Sequence, residues 1–171
     1  MIKAVIFDMD GVLIDAKEWH FEDLNRSLRL LGFEISHAEH LAIYDGLPTK
    51  RKLELLHSAE GFPLGLCMIT NKLKQLYTTE SIATKCRPRF CHEFALSRLK
   101  QEGYKISVAS NSVRNTVRLM MEKSALLPYV ETMMSNEDVT SPKPSPEIYQ
   151  ATFAAIGLQP QECLILEDNE N

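Results

Sequence analysis

Ala4-Val5-Ile6-Phe7 runs straight into Asp8-Met9-Asp10-Gly11-Val12-Leu13-Ile14-Asp15, and this switch from apolar residues to an acidic, glycine-bearing stretch decides the reading of the chain. An uninterrupted apolar run with no polar alternation predicts a strand buried on both faces, as in a parallel sheet. Asp8 and Asp10 then stand at its carboxyl end, where open α/β sheets bind their ligands. A D-x-D pair alone also suits a loop cap, so the other strand ends have to decide between the two roles.

Three more strands are predicted: Lys105 to Ala109 after the helix stop at Gly103, Val130 to Ser135 after Pro128, and Cys163 to Leu166 after Pro160. Helical stripes lie between them, with Leu96 and Leu99, then Val113, Val117 and Met120, then Ile148, Ala151 and Ala155 before Gly157. Ser145-Pro146 combines a hydroxyl cap with a proline at the first helical position. Strands alternating with helices predict an α/β fold with a doubly wound, Rossmann-like parallel sheet.

Residues 16 to 90 break that alternation. Phe21, Leu24, Leu28 and Leu31 share one helical face before Gly32, Ser36-His37-Ala38-Glu39 spells a capping box, and Ile69, Leu73 and Leu76 form another stripe. With turns at Asp45-Gly46 and Gly61-Phe62-Pro63, about four helices are predicted. The expected organisation is a catalytic core of residues 1–15 and 91–171 carrying an α-helical cap over 16–90. The plainer role for every apolar residue in the cap is bundle packing; the functional one is a lid beside the strand-end crevice.

Bulk composition narrows the class of protein. A length of 171 residues suits one core with an insertion, and 44% hydrophobic with 25% charged residues is ordinary for a soluble globular domain. No apolar stretch reaches the length of a membrane span and the amino terminus is not a secretory leader, so a cytoplasmic monomer is expected, with no membrane partner. A net charge of -4 gives no basic face for nucleic acid. The four cysteines, Cys67, Cys86, Cys91 and Cys163, contain no C-x-x-C pair and read as free thiols. Cys86, Cys91 and His92 lack a fourth zinc ligand and read as ordinary buried thiols beside a histidine.

Three segments complement Asp8 and Asp10. Ser110-Asn111-Ser112 ends the second strand and opens a helix, where hydroxyl and backbone N–H groups can hold a phosphate. Pro142-Lys143-Pro144 presents an ammonium from a stiff stretch, and Glu167-Asp168 ends the last strand with two more carboxylates. Together they describe a phosphate and metal site. The plainer roles are a loop cap for Ser110 and Asn111, a solvated charge for Lys143 and a turn-forming acid for Asp15.

The set Asp8-Met9-Asp10-Gly11-Val12-Leu13, Ser110-Asn111-Ser112, Lys143-Pro144-Ser145-Pro146-Glu147-Ile148-Tyr149 and Leu166-Glu167-Asp168, in this order, resembles the haloacid dehalogenase superfamily. Within it the chain is similar to the subgroup with a helical cap that holds phosphatases and beta-phosphoglucomutase, cap residues Glu18, His20 and Gly46 included. The resemblance implies a nucleophilic Asp8 that forms an aspartyl-phosphate, and an Asp10 that serves as general acid and then base. It implies Mg2+ held by Asp8, the Asp10 carbonyl and Asp168 with help from Glu167, and phosphoryl oxygens held by Ser110, Asn111 and Lys143. Asp15 is expected to fix the hinge, and His20 to be a polar residue of the core-to-cap region.

The implied reaction is removal of phosphate from a small phosphorylated substrate, a sugar phosphate or a nucleotide. The alternative is a hexose phosphomutase, which Thr49 directly after Gly46-Leu47-Pro48 disfavours because the mutase carries an arginine there. The alternative from another class, a non-catalytic phosphate-binding protein, has no use for both Asp8 and Asp10. The resemblance further implies a helix and a strand after Leu166-Glu167-Asp168. The chain is therefore expected to be a truncated form, with a frayed end at Asn169-Glu170-Asn171 and Cys163 to Leu166 left as a bare apolar edge.

Overall fold

Four parallel strands form the sheet in the computed structural model, which describes residues 1–168: β1 (Ala4–Phe7), β2 (Lys105–Ala109), β3 (Thr132–Met134) and β4 (Cys163–Leu166), in the order β3-β2-β1-β4. β1 is buried throughout, as its unbroken apolar sequence requires. The register pairs Phe7 with Val108 on one side and with Leu166 on the other. The strands therefore end level, and the residues that follow them, Asp8, Ser110 and Glu167, emerge from one edge of the sheet.

The chain divides into two compact units, Met1–Asp15 together with the chain from Lys85 onward, and Ala16–Thr84. The boundary expected near 90 falls earlier because the segment after Lys85 is anchored on the sheet unit: Cys86 is buried and its thiol donates to the Met120 carbonyl. Arg89 pairs with Asp15 at 3.6 Å, so the outgoing and returning chains are tied within this unit.

In the sheet unit, α5 (Phe90–Gln101), α6 (Arg114–Lys123) and α7 (Glu147–Ile156) join the strands. Ala4, Ile6 and Ala109 from the sheet pack with Ile148 and Ile156 from α7. Complete burial of one such isoleucine is worth about 1.5–3 kcal/mol. α7 ends at Gly157 with φ +69, a left-handed stop that costs glycine no Cβ clash. β4 lies at one end of the order of the described strands, and its Leu164, Ile165 and Leu166 are 47%, 37% and 40% exposed. Asn169-Glu170-Asn171, where a frayed end was expected, lie outside those residues.

In the helical unit, α1 (Lys17–Arg29) is followed by a short α2 (His37–Glu39) running into a π turn over His40–Tyr44, then by α3 (Thr49–Glu60) and α4 (Cys67–Lys85). Ser36 and Glu39 form the expected capping box. Leu24, Leu28, Ile35, Tyr44, Leu53, Leu56 and Phe62 make the core of this unit.

Several expectations need correction. β3 is shorter than Val130 to Ser135: Pro128 sits in a 3-10 turn over Leu127–Tyr129 whose cap is Val130, and the Ser135 N–H donates to the Asp138 carboxylate instead of a strand partner. α7 begins at Glu147 and not at Pro146, although Ser145 Oγ still accepts the Glu147 N–H. α7 buries Ile148, Thr152 and Ile156, leaving Ala151 half-buried and Ala155 exposed. α4 shows the larger error: Ile69 and Leu76 are exposed, whereas Thr70, Lys74, Thr78, Ser81 and Ile82 are buried. The helical period holds but its inward face is polar, because α1 offers Asp23, which accepts from Ser81 Oγ, and His20, which lies 3.1 Å from the Lys74 ammonium. Cys91, read as buried, is exposed; all four cysteines are free thiols.

Candidate active site

The site begins with the turn after β1. The Met9 carbonyl accepts the N–H groups of Leu13 and Ile14, and the Gly11 N–H donates to the Ile14 carbonyl at 2.7 Å. Gly11 has φ +93, so this tight return suits glycine at that position. The fold of the turn leaves Asp8 buried beside the sheet and Asp10 half-buried. The Asp8 N–H donates to the Leu166 carbonyl at 2.8 Å, which fixes the base of the site to β4.

Lys143 Nζ donates to Asp8 Oδ1 at 2.7 Å and to Glu167 Oε2 at 2.8 Å. Burial pushes the Asp8 carboxyl up to about 7, against the pull of the neighbouring ammonium. For Lys143, burial favours the neutral amine but is outweighed by the Asp8 charge, so its pKa lies above the ordinary lysine value. Asp8, Glu167 and Asp168 each bring a carboxylate oxygen within 4.8 Å of the others.

Asp10 accepts a hydrogen bond from Ser112 Oγ at 3.0 Å, and the Ser112 N–H donates to Ser110 Oγ, also at 3.0 Å. Ser110 is fully buried, and its N–H donates to the Met134 carbonyl at the end of β3. Asn111 grips the lysine loop from both sides. Its Oδ1 accepts the Lys143 N–H at 2.9 Å, and its Nδ2 donates to the Lys143 carbonyl at 3.2 Å. Asn136 Nδ2 in turn donates to the Asn111 carbonyl at 2.7 Å, and Glu147 accepts the N–H groups of Thr140 and Ser141. Lys143 is thereby delivered by a loop whose polar groups are tied at each step, so little ordering remains to be done when a ligand arrives.

The seven residues expected at the site thus form one connected set. Asp8, Lys143, Glu167 and Asp168 cluster directly, Asn111 joins through the Lys143 peptide, and Asp10 and Ser110 join through Ser112. Asp15 stays at the rim, 75% exposed at its side chain, and His20 belongs to the helical unit. Sequence reasoning missed the side-chain role of Ser112, although the hydroxyl two residues after Ser110 was visible. It also missed Tyr149, whose hydroxyl donates to Glu167 and whose ring lies 5.0 Å from the Lys143 ammonium.

The model of the haloacid dehalogenase-like hydrolase family matches residues 5–171. This chain belongs to the haloacid dehalogenase-like hydrolases. It is 29% identical over 171 residues to a putative phosphatase, YhcW, of Bacillus subtilis, covering 100% of this chain and 77% of the relative. It is also 29% identical to the beta-phosphoglucomutase of the same organism, covering 99% and 76%, and 26% identical to a phosphorylated carbohydrates phosphatase of Thermotoga maritima, covering 99% and 78%. Among solved structures, CbbY of Rhodobacter sphaeroides in complex with xylulose-1,5-bisphosphate superposes with a TM-score of 0.89 at 20% identity, over 99% of this chain and 79% of that one. The likeness establishes the α/β fold of this hydrolase. Among the described residues no helix is long and apolar enough to cross a membrane.

Proposed function

We propose that this haloacid dehalogenase-like hydrolase is a Mg2+-dependent phosphatase that cleaves a small phosphate ester, a sugar phosphate or a nucleotide, through an aspartyl-phosphate on Asp8. One observation carries the reading: a buried carboxylate, Asp8, faces an ammonium at 2.7 Å and two further carboxylates, with a second aspartate held by Ser112 beside it. Burial lifts the Asp8 carboxyl to about 7 against the pull of the Lys143 ammonium. Asp8, Glu167 and Asp168 offer the hard oxygen donors that Mg2+ prefers, so the residues fit that ion. When bound, it would neutralise these acids and polarise a phosphoryl oxygen.

Asp8 Oδ attacks phosphorus and the ester oxygen leaves with the proton of Asp10; water then attacks the aspartyl-phosphate after giving its proton to Asp10, releasing phosphate and restoring Asp8. The Ser112 hydroxyl steadies the Asp10 carboxyl between the two steps. The Lys143 ammonium, held by Asn111 through its peptide, balances charge on the transferring oxygens, with Ser110 and the Asn111 backbone beside it. The relatives named phosphatases at 26–29% identity support ester hydrolysis.

Identity of 29% to a beta-phosphoglucomutase favours a second reading, a hexose phosphomutase. A phosphate-release screen over many esters, with Mg2+ or with a chelator, tests the proposal. Mg2+-dependent release from a sugar phosphate or nucleotide supports it. Interconversion of hexose phosphates in a coupled assay, without release, would replace it with the mutase, and release that persists in chelator would refute the mechanism.

A further inference from the structure

Glu167 Oε2 accepts two donors at once, the Lys143 ammonium at 2.8 Å and the Tyr149 hydroxyl. Tyr149 stands near the start of α7, and its ring packs against the cluster built from Ala4, Ile6, Ala109, Ile148 and Ile156. A phenylalanine there would keep that packing and the ring face toward Lys143. The hydroxyl adds its bond to Glu167 and a polar contact with the Lys143 ammonium, which is itself bonded to Glu167. Glu167 follows β4, and a glutamate has three side-chain torsions whose ordering these two bonds offset.

We propose that Tyr149 is a positioning residue for the cation. Its hydroxyl and the Lys143 ammonium hold one oxygen of Glu167, which keeps the carboxylate turned toward Asp8 and Asp168 and leaves its second oxygen for Mg2+ or for a water of the ion. The inference rests on the phosphatase reading above and deepens it. Partners one step removed from a metal ligand typically alter metal affinity by roughly 10–100-fold when lost.

The test is calorimetric titration of the full chain with Mg2+, comparing the unmodified protein, Tyr149→Phe, Glu167→Ala and the double variant. Tyr149→Phe should weaken Mg2+ binding roughly tenfold with the thermal transition kept, and phosphate release should recover as Mg2+ is raised to saturation, a pattern that a general packing defect would not give. In the Glu167→Ala background, Tyr149→Phe should cost much less Mg2+ affinity than in the unmodified protein, because the hydroxyl acts on the ion chiefly through that carboxylate. Unchanged Mg2+ affinity in Tyr149→Phe, or an equal loss in the Glu167→Ala background, would overturn the assignment. If the unmodified chain itself takes up no Mg2+, the phosphatase reading fails and this inference with it; if it binds Mg2+ and Tyr149→Phe binds equally well, only the inference fails.

Discussion

Replacing Lys143 by methionine should produce a stability defect that depends on pH in a particular way. In the metal-free protein, Asp8 is buried, its carboxyl lifted to about 7 even with the Lys143 ammonium 2.7 Å away. Removing the ammonium leaves burial unopposed, so the Asp8 pKa in the folded variant rises beyond 7. In the unfolded chain the same carboxyl ionises near 4. Below pH 7 the folded states of both proteins hold the Asp8 proton, and what methionine costs there is the ammonium's bond to Glu167. Above pH 7 only the folded variant still holds it. A folded state that binds more protons than the unfolded state loses stability as pH rises, by about 1.4 kcal/mol per unit. The gap between the two proteins should therefore widen between pH 7 and 8.5, by at most about 2 kcal/mol. Urea unfolding in chelator at several pH values measures it. Parallel stability curves with a constant gap would refute the reasoning, since they would mean that Asp8 is ionised throughout and that Lys143 does not set its charge.

Asp10→Ala should slow sugar phosphates by roughly 10²–10⁴-fold, the usual worth of a general acid, yet spare activated aryl phosphates whose leaving groups need no proton; equal losses on both would remove the acid role. Ser112→Ala should follow the same leaving-group trend more weakly, read in the same kinetic comparison, because its hydroxyl bonds the Asp10 carboxyl. His40 is buried beside Phe21 with Nδ1 unpartnered among the described residues, and burial lowers its pKa to about 4. A histidine kept neutral in the fold contributes stability that is present above about 6.5 and lost as pH falls toward 4, up to about 3 kcal/mol. His40→Leu should flatten the acid limb of a denaturation series, and an unaltered limb would contradict this.

Much of the sheet was legible because buried parallel strands are written as short apolar runs. β1, β2 and β4 have the expected bounds, and their ends place Asp8, Ser110 and Glu167 together. β3 was misjudged because Val130 and Ser135 look like strand residues but are consumed by a turn and by Asp138. The inward face of α4 was illegible for a different reason: apolar periodicity finds a buried face only where the opposing helix is apolar, and here α1 presents Asp23 and His20. At the site, residue types announced the carboxylates and the lysine. The bonds that position them, from Asn111 to both sides of the Lys143 peptide and from Tyr149 to Glu167, join residues far apart in sequence and exist only once the strands align.

The central claim is that Asp8 carries the phosphoryl group. Mixing the protein and Mg2+ with a phosphate-labelled ester, quenching in acid within the first turnovers, and mapping the labelled peptide tests it directly. The account predicts a hydroxylamine-labile phosphate on the peptide containing Asp8, absent in Asp8→Asn, which should stay folded yet release no phosphate. Phosphate release that persists in Asp8→Asn, with no label on any peptide of the unmodified protein, would contradict it.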